Sequence, residues 1–545
     1  MSASPAAGDT ASIPATNGVL TGFGLCVRLL LRRNWLRLLI WAVLLPLMIP
    51  VVYSSQQAAF PTQTARDSYS QVANTPAVAA MTGLPYSSGS LGGILVIKIW
   101  MTLAISLAFA SIFLLTRNGR ADEEAGRTEL LRAQALGRYA YSLANYAVVG
   151  SLSVVTGLLI ALFSLGEKLP TAGSFVMGGS VAGVGLVFVG IGALCGQLSS
   201  TSRGANSLGV GFLAVFYVIR AVADVRADGS RSSGLSWLSP IGWAQNMRAF
   251  GDNNWWPFLA LLAFTVISCA VALRVETHRD LGMGLLAERP GPARASAFLT
   301  THVGLVLRLQ RTPLAAWIVG AVVAGLFFGG VATAMAGLLD PSTPWAKAFV
   351  GDSQNMLNSV LGIFGLFNAL LAAAFAVQIL TTARSQEAGG PLELELAGSV
   401  SRLRWFGGHV LVAAAGSAAM LLLGGWLTGA SSGGVISGLT TAGASFAYWP
   451  AVLLMMGVFT FLYGFAPRHS VSIAWAIYGA FLILALFGRL FSLSEDAIRA
   501  TPFGAVPRMP AEKFSLTPML ALTVVALVLG ALGIWRFSTR DIESE

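Results

Sequence analysis

The chain has 545 residues, 55% of them hydrophobic and only 11% charged, with a mean hydropathy of +0.71 and a net charge of +10. This excludes an ordinary soluble protein, in which about 25% of residues are charged, and no polar stretch is long enough to build a soluble domain. The basic residues gather in alternate loops and not in a patch interleaved with aromatics, which argues for membrane topology and against a nucleic-acid partner.

Residues 1–18 are rich in Ala, Ser, Thr and Pro and are expected to be disordered. They lack a basic region ahead of a short apolar core, so no cleaved signal is predicted. Apolar runs follow at 35–54, 91–116, 139–166, 173–198, 206–224, 255–273, 313–336, 357–383, 405–428, 444–465, 471–492 and 517–536. Each is long enough to cross about 30 Å of hydrocarbon. The predicted fold class is therefore an all-α polytopic membrane protein with about twelve transmembrane helices. The Lys and Arg bias between loops places both termini in the cytoplasm.

The spans divide into a first half, 19–274, and a second half, 301–545, joined by a cytoplasmic linker, 275–300, rich in Gly, Pro, Ala and Arg. Corresponding marks recur in order. Arg28-Leu-Leu-Leu-Arg32-Arg33 precedes span 1 and Arg308-Leu-Gln-Arg311 precedes span 7, each read as an amphipathic helix lying at the cytoplasmic interface. Ser239-Pro240-Ile-Gly242 and Thr501-Pro502-Phe-Gly504 precede spans 6 and 12, and Arg279-Asp280 and Arg540-Asp541 follow them. An even number of spans per half predicts parallel repeats. Glycines four apart, Gly179/Gly183, Gly192/Gly196 and Gly325/Gly329, are expected to let helices pack closely. Cys26, Cys195 and Cys269 read as small buried thiols, and His278, His302, His409 and His469 are too scattered for a metal site.

The most informative feature is a polar loop that occurs twice. After span 2 the chain reads Glu123-Glu124-Ala-Gly126-Arg127-Thr-Glu129 and reaches Arg138. After span 8 it reads Glu387-Ala-Gly389-Gly-Pro-Leu-Glu393 and reaches Arg402. Aligning Glu124 with Glu387 sets Gln386 opposite Glu123 and Gly390 opposite Arg127, with one extra residue near Pro391. In the first copy the Glu123/Arg127 spacing of four predicts an intrahelical ion pair, and glycine allows a bend or close backbone approach. Charge satisfaction alone would not require this order of acids, glycine and arginine in both halves.

These loops resemble the coupling segment of the ABC-2 type permease family, an acidic, glycine-containing stretch that ends at an arginine after the second helix of each six-helix half. The duplicated arrangement, with Arg279-Asp-Leu-Gly-Met-Gly-Leu-Leu286 after span 6, is similar to actinobacterial exporters of polyketide-type antibiotics and other drugs. The resemblance implies a permease in the bacterial inner membrane that exports hydrophobic, drug-like or lipid-like compounds. It further implies a 1:2 complex with a homodimer of a separate cytoplasmic ATPase. No Gly-x-x-x-x-Gly-Lys-[Ser/Thr] occurs, so ATP and Mg are expected in that partner and no ATPase site in this chain. ATP-driven closure would act on both loops and rock one half against the other.

Spans 2, 5, 8 and 11 are implied to border the substrate path. They carry Trp100, Met101 and Phe109, then Phe212, Phe216 and Tyr217, then Phe364 and Phe367, then Trp475, Tyr478 and Phe481, which suits an apolar cargo. Charges in the membrane are costly. Arg220, with Asp224 four residues on, and Arg489 lie near outer span ends and are expected to form an outer gate or to snorkel to headgroups, as Lys98 can. The rival reading is a 6+6 carrier driven by an ion gradient, but the loop after span 2 is acid-rich and no span holds a central carboxylate. A membrane enzyme would need a polar catalytic cluster, and the outer-loop acids Asp67, Asp228, Asp252 and Asp352 lie in unrelated surroundings.

Overall fold

The computed structural model describes residues 18–74, 76–133, 136–227, 232–280, 282–286, 294, 296–338, 353–398, 400–434, 436–487 and 494–542. Among them the secondary structure is helical, and twelve helices are long and apolar enough to cross a membrane. They are α1 (Phe23–Ala59), α2 (Leu91–Glu124), α3 (Ala140–Gly166), α4 (Thr171–Leu198), α5 (Ser202–Val225) and α6 (Trp256–Glu276). After these come α7 (Arg311–Ala332), α8 (Val360–Ala388), α9 (Arg402–Ala430), α10 (Gly438–Phe465), α11 (Pro467–Leu486) and α12 (Leu516–Thr539). Each matches one predicted apolar run.

The chain forms two compact units, residues 1–290 and 291–545. In the first, α2 and α4 are the most buried helices, and Leu103, Leu107, Val181 and Phe188 lie in one apolar core. In the second, α8 and α10 are central, with Phe375, Leu380, Met455 and Phe459 in the core. The last helix of each unit is peripheral: only 17% of the apolar window of α6, and likewise of α12, is buried. Small residues set the helix spacing. A Cβ on Gly178 would fall 2.1 Å from the carbonyl oxygen of Gly157, so α3 and α4 touch backbone to backbone. Gly325 and Gly329 press in the same way on Gly424 and Thr428 of α9, and Gly179, Gly183 and Gly192 face neighbouring side chains, whereas Gly196 faces open space.

The two preludes differ. Before α7 stands a separate short helix, His302–Leu309. Among the described residues the prelude of span 1 is not a separate helix but runs unbroken into α1 over 37 residues. The reason is local. Pro313 has no N–H to bond back to Leu309 and is tolerated in the first turn of a helix, which suits a new start at Arg311, while no Pro or Gly interrupts residues 25–45. Cys26 and Leu30 of the α1 prelude pack on Ala144 and Val148 of α3, leaving Leu25, Leu29 and Trp35 exposed.

Candidate functional site

In the first unit α2 ends in a short turn, Arg120–Glu124, followed by a loop helix, Arg127–Arg132. Gly126 joins them at φ 70°, a left-handed conformation that costs a side-chain-bearing residue about 1–2 kcal/mol. Adjacent acids on this turn face different arginines. Glu123 receives a two-pronged bond from Arg279, at 2.7 and 2.8 Å, and pairs with Arg120 at 3.0 Å. It also accepts the backbone N–H of Gly282 at 2.8 Å. Asp122, 1% exposed, accepts from Arg33 of α1 at 2.6 Å, from Arg127 at 2.7 and 2.9 Å, and from the Tyr141 hydroxyl at 2.6 Å. Such forked, charge-assisted bonds are the strong class of hydrogen bond. The expected Glu123–Arg127 pair is not formed: Glu123 is taken by Arg279 and Arg120, and the turn at Gly126 brings Arg127 to Asp122 instead.

The second unit repeats part of this cluster. Glu387 is fully buried and receives a two-pronged bond from Arg540 at 2.6 and 2.9 Å, with Arg384 at 3.7 Å. The Arg540 guanidinium also lies 5.1 Å over the Tyr463 ring and 5.2 Å over Phe537, a favourable cation–π setting. Gly390 adopts φ 88° ahead of the loop helix Pro391–Leu396. These contacts correct the alignment of the two loops. Glu387 takes the partners that Glu123 takes, and no residue is inserted near Pro391. A constant offset of 264 residues then relates Arg120 to Arg384, Glu123 to Glu387, Gly126 to Gly390, Glu129 to Glu393 and Arg138 to Arg402. In this register Gln386 stands where the first copy has Asp122, and its buried Oε1 has no hydrogen-bond partner.

The arginine that closes each loop binds in a corresponding place. Arg138 donates to the carbonyl of Thr277 at the end of α6, at 2.9 Å. Arg402 donates to the carbonyls of Phe537, at 3.3 Å, and Arg540 at the end of α12. A cation is favoured at these positions, since the last carbonyls of a helix carry partial negative charge. After α6, residues 282–286 are stitched to the end of α4: Leu285 and Leu286 donate to the carbonyls of Gln197 and Leu198 at 3.0 and 2.9 Å. Gly284 fits there because a Cβ would lie 2.5–2.7 Å from backbone atoms of Leu198, Ser199 and Ser200.

The loop helices have one side anchored and one side free. Thr128 and Leu392 point inward, while Glu129 and Glu393 are exposed and the next residues, Leu130 and Leu394, expose 72% and 81% of their surface. Glu124 is exposed and accepts the N–H of Ser202 at 2.8 Å. Neither leucine was picked out as a site residue in the sequence, nor were Asp122, Arg120, Arg384, Arg279 and Arg540. The constant offset was the signal that could have found most of them. A cavity of about 60 Å³ lined in part by Arg120, Glu123, Tyr146 and Arg279 has room for only a few waters.

The aromatic residues of the expected substrate path are distributed unevenly. Trp100, Met101, Phe364 and Tyr478 are buried within their own unit, Trp100 donating to Ser180 at 2.7 Å and Tyr478 to the Leu370 carbonyl at 3.0 Å. Phe109, Phe216, Tyr217, Trp475 and Phe481 are half-buried, and Phe212 and Phe367 are exposed. Arg220 lies near the C-terminal end of α5. It is wholly buried, pairs with Asp224 at 3.0 Å, stacks on Tyr217, and donates to the carbonyls of Ala79, Ala80 and Met81. It thereby fixes the C-terminal end of the short helix Pro76–Thr82. Nearby, burial pushes the Tyr86 phenol up to about 12, so it remains a neutral donor to Asn246. Lys98 is exposed, over the rings of Phe60 and Tyr69. Arg489 lies outside the described residues.

The family described as multidrug efflux system permease Rv1217c, C-terminal domain, matches residues 299–538. The multidrug efflux system permease protein Rv1217c of Mycobacterium tuberculosis (strain ATCC 25618 / H37Rv) is 32% identical over 525 residues, which span 95% of this chain and 94% of the relative.

Proposed function

Because the chain belongs to the multidrug efflux system permeases of the ABC-2 type, we propose that it draws its energy through the two loop helices from a separate ATPase dimer. The chain is a multi-pass membrane permease, the transport subunit of an efflux system. ATP and Mg belong to the partner, since no phosphate-cradling loop occurs in this sequence. One chain holds both loops, so the assembly is one permease to an ATPase homodimer, in the bacterial inner membrane with both termini cytoplasmic.

The observation that carries this reading is the pair of exposed Glu-Leu steps, Glu129-Leu130 and Glu393-Leu394, each on a short helix whose base is tied down by buried ion pairs. An exposed leucine on a fixed base suits an apolar pocket in a partner, and the acid beside it suits a basic rim. The two helices are similar enough for one dimeric partner and unequal in detail, Arg127 in one standing against Pro391 in the other. The cargo is a hydrophobic, drug-like or lipid-like compound, in keeping with the aromatic side chains of α2, α5, α8 and α11. The test is co-expression with candidate soluble ATPases. The true partner co-purifies at two copies per permease and hydrolyses ATP faster when hydrophobic drugs are added. A permease that exports drugs with no such partner present refutes the reading.

A further inference from the structure

Both loops grip the same element of their own unit: the exit of the last span. In the first unit the near end of the loop is held by Glu123 on Arg279, three residues beyond α6, and the far end by Arg138 on the Thr277 carbonyl. Ser142 of α3 adds a bond to Glu276 at 2.9 Å. In the second unit Glu387 is held by Arg540, next to the end of α12, and Arg402 by the carbonyls of Phe537 and Arg540. Arg120 and Arg384, one turn before each glutamate, pair with it from the other side. The four contact points keep the 264-residue offset on the loop side, although the sequences between them differ.

α6 and α12 each have one packed side and one open side. A helix buried in a core moves only with that core. These two bury 17% of their windows, yet one side of each packs closely on its unit: Gly533 of α12 meets the Thr460 carbonyl of α10, Phe537 is buried against Phe406 and Tyr463, and Gly190 of α4 meets Ser268 of α6. The arginines sit where they resist separation: Arg279 and Arg540 each make two parallel bonds to one carboxylate, both partners nearly or wholly buried. A forked pair of this kind fixes orientation as well as distance.

We propose that each loop is a two-point clamp on the exit of its unit's last span, with Arg279 and Arg540 as positioning residues that make loop and span move together. The proposal rests on the reading that the loops receive motion from an ATPase. Displacing a loop helix therefore displaces the cytoplasmic end of α6 or α12 with it. Arg279 and Arg540 touch neither nucleotide nor cargo.

The experiment uses the full chain with its co-purified ATPase in liposomes, and compares Arg279→Gln, Arg540→Gln, the conservative Arg279→Lys and Arg540→Lys, and the exchange Glu387→Arg with Arg540→Glu. The Gln variants are expected to hydrolyse ATP and export poorly, raising ATP used per drug exported by about 5- to 150-fold, the usual range of a coupling energy. The Lys variants and the exchange recover part of the wild-type ratio. Hydrolysis and export falling together, with the ratio unchanged, marks a merely structural role and overturns the proposal. Should the Gln variants fail to fold, labels on Ala133→Cys and Val271→Cys, both exposed, test the clamp in the otherwise native chain. Their separation is expected to stay within about 2 Å through the ATP cycle, the size of an ordinary helix shift; a larger change overturns the clamp. Failure of the underlying reading looks different, since wild-type export would then be indifferent to ATP before any variant is made.

Discussion

Replacing Leu130 and Leu394 by serine, singly and together, probes the proposed docking surface with the least disturbance to the fold. Both side chains are mostly exposed, at 72% and 81%, so the isolated permease should keep its stability to within about 0.5 kcal/mol. Burying a whole leucine stabilises by about 1.5–3 kcal/mol, and the part still exposed here corresponds to about 1.5–2 kcal/mol per site. At 1.4 kcal/mol per tenfold in affinity, each single variant should bind the ATPase about 10- to 30-fold more weakly. The pair should lose about 100- to 1,000-fold, because two helices on separate units are independent enough to add. The assay is titration of purified ATPase onto permease in nanodiscs, with detergent melting as the control on folding. Unchanged affinity in the double variant, with unchanged melting, refutes the assignment of the loop helices as the docking surface.

Other perturbations test the supporting structure. Asp122→Asn removes the shared partner of Arg33 and Arg127 and should cost about 1.5–3 kcal/mol, seen as a lower melting temperature. Gln386→Leu, at the corresponding place where no arginine pair forms and Oε1 is unpartnered, should stay within about 1 kcal/mol of wild type. Arg220→Gln should release the end of the short helix Pro76–Thr82, so that a cysteine at Ala80 reacts faster with a water-soluble thiol reagent; an unchanged rate would count against the staple. Gly284→Ala should push residues 282–286 off α4, costing about 1–3 kcal/mol, with faster hydrogen exchange at the amides of Leu285 and Leu286.

The span count and the place of the loops were legible because each follows from the sequence alone: a run of about 20 apolar residues has no other use for its length, and an acidic loop between two such runs must lie outside the hydrocarbon. The pairing inside the loops was not legible. Local spacing matched Glu123 with Arg127, but a turn at Gly126 and a tertiary partner 156 residues away at Arg279 outcompete a solvated i,i+4 pair, which is worth only a few tenths of a kcal/mol. The loop alignment failed for a related reason. The string Glu-Ala-Gly is shared by both copies, yet what places a glutamate is the arginine three residues earlier and the arginine after the last span. The Arg220–Asp224 pair was legible from its spacing of four and is formed, whereas the bonds of Arg220 to carbonyls of the short helix Pro76–Thr82 were not, because carbonyls leave no charge pattern to read.

The most direct test of the account is transport by the purified chain in liposomes, with and without its ATPase, measured once with ATP and no ion gradient and once with a proton or sodium gradient and no ATP. The account predicts drug movement only when the ATPase and ATP are both present. Drug movement by the permease alone, driven by the gradient and indifferent to ATP, would contradict it.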